Sequence, residues 1–124
     1  MRTLHKIITA LIIALGVLHV CVTFVDYDEF NLRALWFAGA GVAIILAGFL
    51  NVALLRDASK DKVILLLCFL TNLIFVVMFA AALYLMQQPQ VILGVVLFFA
   101  ACVNTVFAHR IRPENAPFRE LKKE

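Results

Sequence analysis

Four long stretches of nearly uninterrupted apolar residues divide this chain, and charged residues lie only between and outside them. A helix needs about 20 residues to cross roughly 30 Å of hydrocarbon. Each stretch is close to that length. The predicted membrane spans are residues 7–25, 34–55, 63–86 and 91–108.

The connections between these spans are short, which makes consecutive helices antiparallel neighbours. Membrane β-strands alternate apolar and polar residues over about ten positions, and the chain shows no such alternation. A helix, in contrast, satisfies its own backbone groups in lipid. The predicted fold is therefore all-α, a polytopic membrane protein with an antiparallel up-down four-helix transmembrane bundle. The bundle occupies residues 1–108, and a basic cytoplasmic tail follows at 109–124.

Composition supports a lipid environment. The chain has 124 residues, of which 65% are hydrophobic and 15% charged, and its mean hydropathy is +1.02. Soluble domains have about 45–50% apolar and about 25% charged residues, and a small globule cannot bury this much apolar surface. Disorder requires low hydrophobicity. The lipid bilayer is the expected surrounding of the chain.

The first span has an alternative interpretation as a cleavable signal peptide, because the residues before it are basic. However, its apolar run continues to Val25, which is longer than a usual signal core. Val20 precedes Cys21, where a lipoprotein signal would have a small residue. We therefore expect the first span to be retained as an anchor.

Basic residues are distributed very unevenly between the two sides of this four-span arrangement. One side carries ten of them: Arg2, Lys6, Arg56, Lys60, Lys62, Arg110, Arg112, Arg119, Lys122 and Lys123. The other side carries only Arg33, close to three acidic residues. Basic loops stay in the cytoplasm, so we predict a multi-pass protein of the cell membrane with both termini cytoplasmic.

Aromatic residues give the same orientation, since Tyr27, Trp36 and Tyr84 fall at the outer ends of spans, where such rings settle among headgroups. The net charge of +3 is then explained by topology, and no nucleic-acid partner is expected. The basic tail could attract anionic lipids, but setting the topology is the simpler explanation.

Each predicted span has one face of small and polar residues, read at about 100° per residue. These faces contain Gly16, His19, Thr23 and Asp26 on the first span, Gly41, Gly48 and Asn51 on the second, Cys68, Thr71, Asn72, Phe75, Phe79 and Ala82 on the third, and Gly94, Ala101, Asn104, Thr105 and Ala108 on the fourth. Small residues allow close helix packing, and Asn and Thr hydrogen-bond between helices. We expect the four faces to meet inside the bundle.

These faces predict a polar layer in the inner half of the bundle, formed by Asn51, Thr71, Asn72, Asn104 and Thr105. Its simplest role is to hold the helices together, because an unpaired amide in hydrocarbon is costly. A second interpretation is a path for a polar solute. A third is the seam of a homo-oligomer.

His19 is the one histidine well inside a predicted span, roughly 10 Å below the outer surface. An ionisable residue inside a membrane is a functional hypothesis by default. The hypothesis is an outward-opening pocket lined by His19, Thr23, Asp26 and Gly41. The alternative is a structural histidine bonded to Thr23 or to a backbone carbonyl, or one that reaches outward.

The sequence gives little support for cofactor or metal chemistry. Haem held by two histidines needs them at one depth, whereas His5 and His109 are predicted at the inner surface and His19 in the outer half. Three acidic residues before the second span (Asp26, Asp28 and Glu29) could bind a divalent cation, but solvated carboxylates are the commoner case. We expect no cofactor and no metal.

Catalytic patterns are also weak. The three cysteines, Cys21, Cys68 and Cys102, lie singly on three spans without a C-x-x-C pair, so they are interpreted as small apolar residues. Acid–base catalysis usually needs two ionisable groups within reach, and only His19 and Asp26 approach this. We expect no catalytic residue.

The favoured function is a non-catalytic accessory or binding protein, for an apolar, lipid-like ligand or for a partner membrane subunit. The alternative is a small oligomeric transporter or channel with a polar path through His19, Asn72 and Asn104. Four short helices enclose little more than their own side chains, so a channel would need several copies.

Overall fold

A computed structural model shows four α-helices in an antiparallel bundle and describes residues 2–29, 31–56 and 61–110, the last three by backbone only. The helices are α1 (Arg2–Asp26), α2 (Leu32–Arg56), α3 (Lys62–Leu85) and α4 (Pro89–Arg110). All four contain segments that are long and apolar enough to cross a membrane. The predicted all-α, four-helix membrane fold is confirmed.

The helices extend beyond the apolar runs. The first begins at Arg2 rather than near residue 7, and the fourth begins at Pro89, in what the sequence predicted as a connection. Proline suits the first helical position, because its missing N–H would be unpaired there anyway. Apolarity marks the part of a helix inside hydrocarbon, whereas the helix itself continues into the headgroup region. Most of the predicted tail, residues 111–124, and Lys60 lie outside the described residues.

Side-chain caps define where two helices begin. The Asn31 side chain accepts a hydrogen bond from the backbone N–H of Ala34 at 3.0 Å. Asp61 accepts one from the N–H of Val63 at 2.8 Å. Each cap satisfies a backbone donor that the first helical turn leaves without a partner.

The helices form a four-sided arrangement. Helix α1 packs against α2 and α4, and α3 packs against α4 and α2, with no diagonal packing in the described ranges. We call the end of the bundle that holds Arg2, Arg56 and Lys62 the terminal end. The end that holds Asp26, Leu32 and Pro89 is the distal end. Every helix therefore has two helical neighbours and an outward face.

Glycines bring α1 and α2 together. A Cβ added to Gly16 would lie 2.9 Å from the backbone oxygen of Gly41, and one added to Gly41 would lie 3.0 Å from that of Gly16. Near the terminal end, Gly48 faces the side chain of Ile13. Close backbone approach of this kind is typical of membrane helices joined through small residues.

The apolar core is centred on α1, α2 and α4. Its most deeply buried members include Ile12, Ile44, Phe98 and Ala101. Helix α3 adds two partly buried rings, since Phe75 stacks on Phe98 with centroids 4.6 Å apart and Phe79 lies 5.7 Å from Phe98. Gly94 leaves room for Phe79, because a side chain there would overlap its ring.

Large apolar side chains cover the outside of the bundle. Helix α3 has only two buried residues, Cys68 and Asn72, compared with seven in each of α1 and α2. Trp36 and Tyr84 are exposed near the distal end. Such a surface needs an apolar solvent, and together with four spanning helices it identifies a multi-pass membrane protein.

Candidate functional site

Two asparagines form the centre of a buried polar cluster between α2 and α3. The amide nitrogen of Asn51 donates to the side-chain oxygen of Asn72 at 2.9 Å, and that of Asn72 donates back to the oxygen of Asn51 at 3.1 Å. Both residues are fully buried. A reciprocal amide pair satisfies a donor and an acceptor on each side chain at once.

The second amide hydrogen of each asparagine is also hydrogen-bonded. The second Asn51 donor reaches the backbone oxygen of Ala47 at 2.9 Å, and the second Asn72 donor reaches the Cys68 sulfur at 3.6 Å. The Cys68 thiol in turn donates to the Asn51 oxygen at 3.3 Å. All four amide hydrogens therefore have acceptors, as a polar group in a low-dielectric interior requires.

His5 connects this cluster to α1. Its Nε2 lies 3.2 Å from the Asn51 side-chain oxygen, and since that oxygen can only accept, Nε2 carries the proton and donates. His5 is 5% exposed, so its side chain is buried between helices, although the sequence analysis did not include it in a polar face. His5 lies four positions before the buried Thr9, one helical turn away on the same face of α1, so reading that face back to the start of the helix would have found it.

The other members of the predicted polar layer differ in how they relate to this cluster, and Thr105 reaches it through a side-chain hydrogen bond with Cys68. Asn104 is half-buried and donates to the backbone oxygen of Ala100 at 2.8 Å, on its own helix. Thr105 is buried and donates to Ala101 at 2.8 Å, also within α4. Thr71 is half-buried. The structure thus pairs Asn51 with Asn72, places the Thr105 side chain against Cys68, and leaves Asn104 bonded within α4.

His19 lies beside a cleft at the distal end. Its ring stacks on Phe37 with centroids 3.9 Å apart and planes inclined by 23°. The cleft has a volume of about 160 Å³ and is otherwise lined by Leu15, Leu18, Val22 and Gln90. It is an apolar space with two polar groups at its wall, a common composition for small-molecule sites. We call it the distal cleft.

The remaining residues of the predicted outward pocket do not line the distal cleft. The Thr23 hydroxyl donates to the backbone oxygen of His19 at 3.1 Å, and not to the imidazole. Asp26 is exposed at the end of α1. Gly41 is buried against Val20 and Gly16, where the helix contact leaves no free space. Phe37 and Gln90 line the distal cleft instead. Both lie on helix faces that the sequence analysis did not select.

The three residues of the predicted polar path have separate surroundings. Asn72 bonds to Asn51 and Cys68, Asn104 donates one hydrogen bond within its own helix, and His19 stacks on Phe37. A path would require these bonds to open. Transport through His19, Asn72 and Asn104 remains a prediction, which solute or proton flux into liposomes would test.

No group of three or more His, Cys, Asp or Glu side chains converges within metal-binding range in the part of the chain that the structure describes. Asp26, the last residue of α1, and the two acidic residues that follow it, Asp28 and Glu29, are exposed. Comparisons with protein-family models, curated proteins and solved structures returned no match for this chain.

Proposed function

We propose that this protein is a non-catalytic membrane protein that binds an apolar, lipid-like molecule in the distal cleft. The observation that carries the proposal is the His19 imidazole, held by stacking on Phe37 at the wall of an otherwise apolar space. Leu15, Leu18 and Val22 would contact the apolar part of the ligand, and the imidazole and Gln90 would bind a carbonyl or hydroxyl.

The size of the distal cleft limits what it can take. A cavity of about 150 Å³ lined by aliphatic side chains accommodates a benzene-sized group, and the cleft is of that order. It therefore fits one ring or a short length of chain, with the rest of the ligand lying along the bundle surface. A lipid-like molecule with a polar group near one end has this shape.

The saturated polar cluster supports the same proposal. Asn51 and Asn72 have used their amide hydrogens on each other and on protein acceptors. The cluster therefore holds α1, α2 and α3 in register, and the groups suited to recognition lie at the distal end. A partner membrane subunit, the other occupant that the sequence predicts, would also cover exposed faces of the bundle.

The decisive experiment is gentle purification of the full chain followed by native mass spectrometry, which reports stoichiometry, bound lipid and any partner subunit together. Leu18→Trp would fill the mouth of the cleft, and Leu11→Trp is the matched control. Both leucines lie on α1 with similar exposure, 55% and 47%, and only Leu18 lines the cleft.

We expect a bound molecule on the wild type and on Leu11→Trp, and its loss from Leu18→Trp. His19→Phe keeps an aromatic ring but removes the ring nitrogens, so it should weaken binding about fivefold, the value of one hydrogen bond near 1 kcal/mol. A chain that carries no ligand, or equal retention by both tryptophan variants, would contradict the proposal. Recovery of a partner subunit instead would favour the accessory role.

A further inference from the structure

A second groove lies between α1 and α2 towards the terminal end, and it shares no lining residue with the distal cleft. It has a volume of about 390 Å³. Three cations, Arg2, Lys6 and Arg56, lie along it, and among the described residues no acidic side chain lines it. The wall of the groove also has apolar side chains, which include Ala10, Ile13 and Leu55. We call this the basic groove.

Thr9, a residue at the wall of the basic groove, carries a buried hydroxyl without a hydrogen bond. Thr9 lines the groove and is 2% exposed. Its side-chain oxygen has no hydrogen-bond partner among the described residues. Threonine in a helix normally donates to the preceding turn, as Thr23 and Thr105 do here. A buried hydroxyl left unpaired costs free energy, which an acceptor atom of a ligand would remove.

The two helix ends at the groove carry opposite partial charges, and only the start of α1 adds to its positive character. The first turn of α1 has no acidic residue, so the partial positive charge of its N-terminus is unopposed. Arg2 donates to the backbone oxygen of Leu55 at 3.4 Å, which offsets the opposite charge at the end of α2. One such bond leaves most of the five guanidinium donors available.

We propose that the basic groove binds one anionic phospholipid. Arg2, Lys6 and Arg56 hold the headgroup phosphate, the Thr9 hydroxyl donates to an ester oxygen, and an acyl chain lies along Ala10 and Ile13. From Arg2 to Ile13 the helix rises about 16 Å, enough for a headgroup and the start of a chain. The charge and the apolar wall together favour a lipid over a free phosphate. The site is independent of the distal cleft.

The test is a titration of the delipidated full chain in detergent, followed by native mass spectrometry. The two probes are phosphatidylglycerol and phosphatidylcholine with identical chains, and inorganic phosphate serves as a competitor. The variant R2Q/K6Q/R56Q removes the cations of the groove. The control variant R119Q/K122Q/K123Q removes the same charge from the tail, so both chains fall from a formal net charge of +3 to 0.

Each cation near the headgroup favours an anionic lipid by roughly fivefold. We therefore expect phosphatidylglycerol to bind at least about tenfold more tightly than phosphatidylcholine to the wild type. The groove variant should lose this preference, and the tail variant should keep it. Purified protein is used because the same cations are predicted to set topology in cells. Circular dichroism confirms that each variant retains its helices.

Thr9→Val tests the hydroxyl without changing the shape of the side chain, and Thr3→Val, on the exposed part of the same helix, is its control. We expect Thr9→Val to weaken phosphatidylglycerol binding by about fivefold, equivalent to one hydrogen bond, and Thr3→Val to have no effect. Equal binding of the two lipids, equal losses in the two charge variants, or displacement of the lipid by millimolar inorganic phosphate would overturn the proposal. Failure here leaves the distal cleft unaffected.

Discussion

Single residues determine how the polar interior of this bundle is satisfied. Asn51 is the hub, because its side chain bonds to His5 on α1, to Asn72 and Cys68 on α3, and to the backbone of its own helix. An asparagine in lipid predicts some interhelical bond, but sequence alone does not name the partner. Asn104 has the same chemistry and bonds only within α4.

Replacing Asn51 by leucine should destabilise the bundle by about 2–3 kcal/mol, because it leaves the buried donors and acceptors of His5 and Asn72 without partners. Asn104→Leu, which removes a bond within one helix, should cost less than about 1 kcal/mol. Unfolding in mixed micelles with increasing SDS measures both. Equal losses for the two substitutions would contradict the central role of Asn51.

Helix pairs differ in what holds them together. The α1–α2 contact depends on backbone approach through Gly16, Gly41 and Gly48, whereas the α3–α4 contact depends on rings, with Phe75 and Phe79 packed on Phe98. The pattern of small residues predicted that helices would approach closely through glycines, as α1 and α2 do. It did not predict that Gly41 lies in this contact and not in a pocket. The position of a residue on a helix face does not show which neighbouring helix will pack against it.

Adding one methyl group at the α1–α2 contact should therefore be costly. Gly16→Ala and Gly41→Ala each place a Cβ within 3.0 Å of backbone oxygen on the facing helix, and overpacking of this kind costs about 1–3 kcal/mol. Gly39→Ala is the control on α2, because a Cβ there meets nothing within 4 Å. The same SDS titration should show a loss for the first two and none for Gly39→Ala.

At the scale of the whole molecule, the bundle has two chemically different ends. The terminal end combines the cations of the basic groove with the start of α1. The distal end carries the cleft beside His19 and exposed acidic residues. Helix packing determines this difference between the two ends, whichever way the bundle is oriented in the membrane. The orientation itself depends on the loop charges.

Orientation is tested with reporter fusions in the intact chain. We expect a reporter placed after Glu124 to stay in the cytoplasm and one inserted between Asp26 and Arg33 to be exported, because ten of the eleven basic residues lie on the side of the termini. Alkaline phosphatase and a fluorescent protein report the two sides reciprocally. An exported C-terminal reporter would reverse the predicted topology.

The sequence alone was enough to determine the class of fold. A chain with four apolar runs and short connections has one economical solution in lipid, because each segment must satisfy its own backbone. The same chemistry led to the prediction of a polar layer, of which Asn51 and Asn72 are buried and paired. The sequence analysis did not include His5 among the buried polar residues, because His5 lies before the apolar run, although it shares the buried face of α1.

Only the tertiary structure decided which polar groups meet and where open space remains. Helical periodicity places a side chain on a face and at a depth, but the rotation of each helix and the identity of its neighbours come from packing. The rotation of the helices and their arrangement pair Asn51 with Asn72 and place Phe37 and Gln90 beside His19. They also leave no free space at Gly41. Space between helices depends on how several side chains fit together, which no single segment encodes.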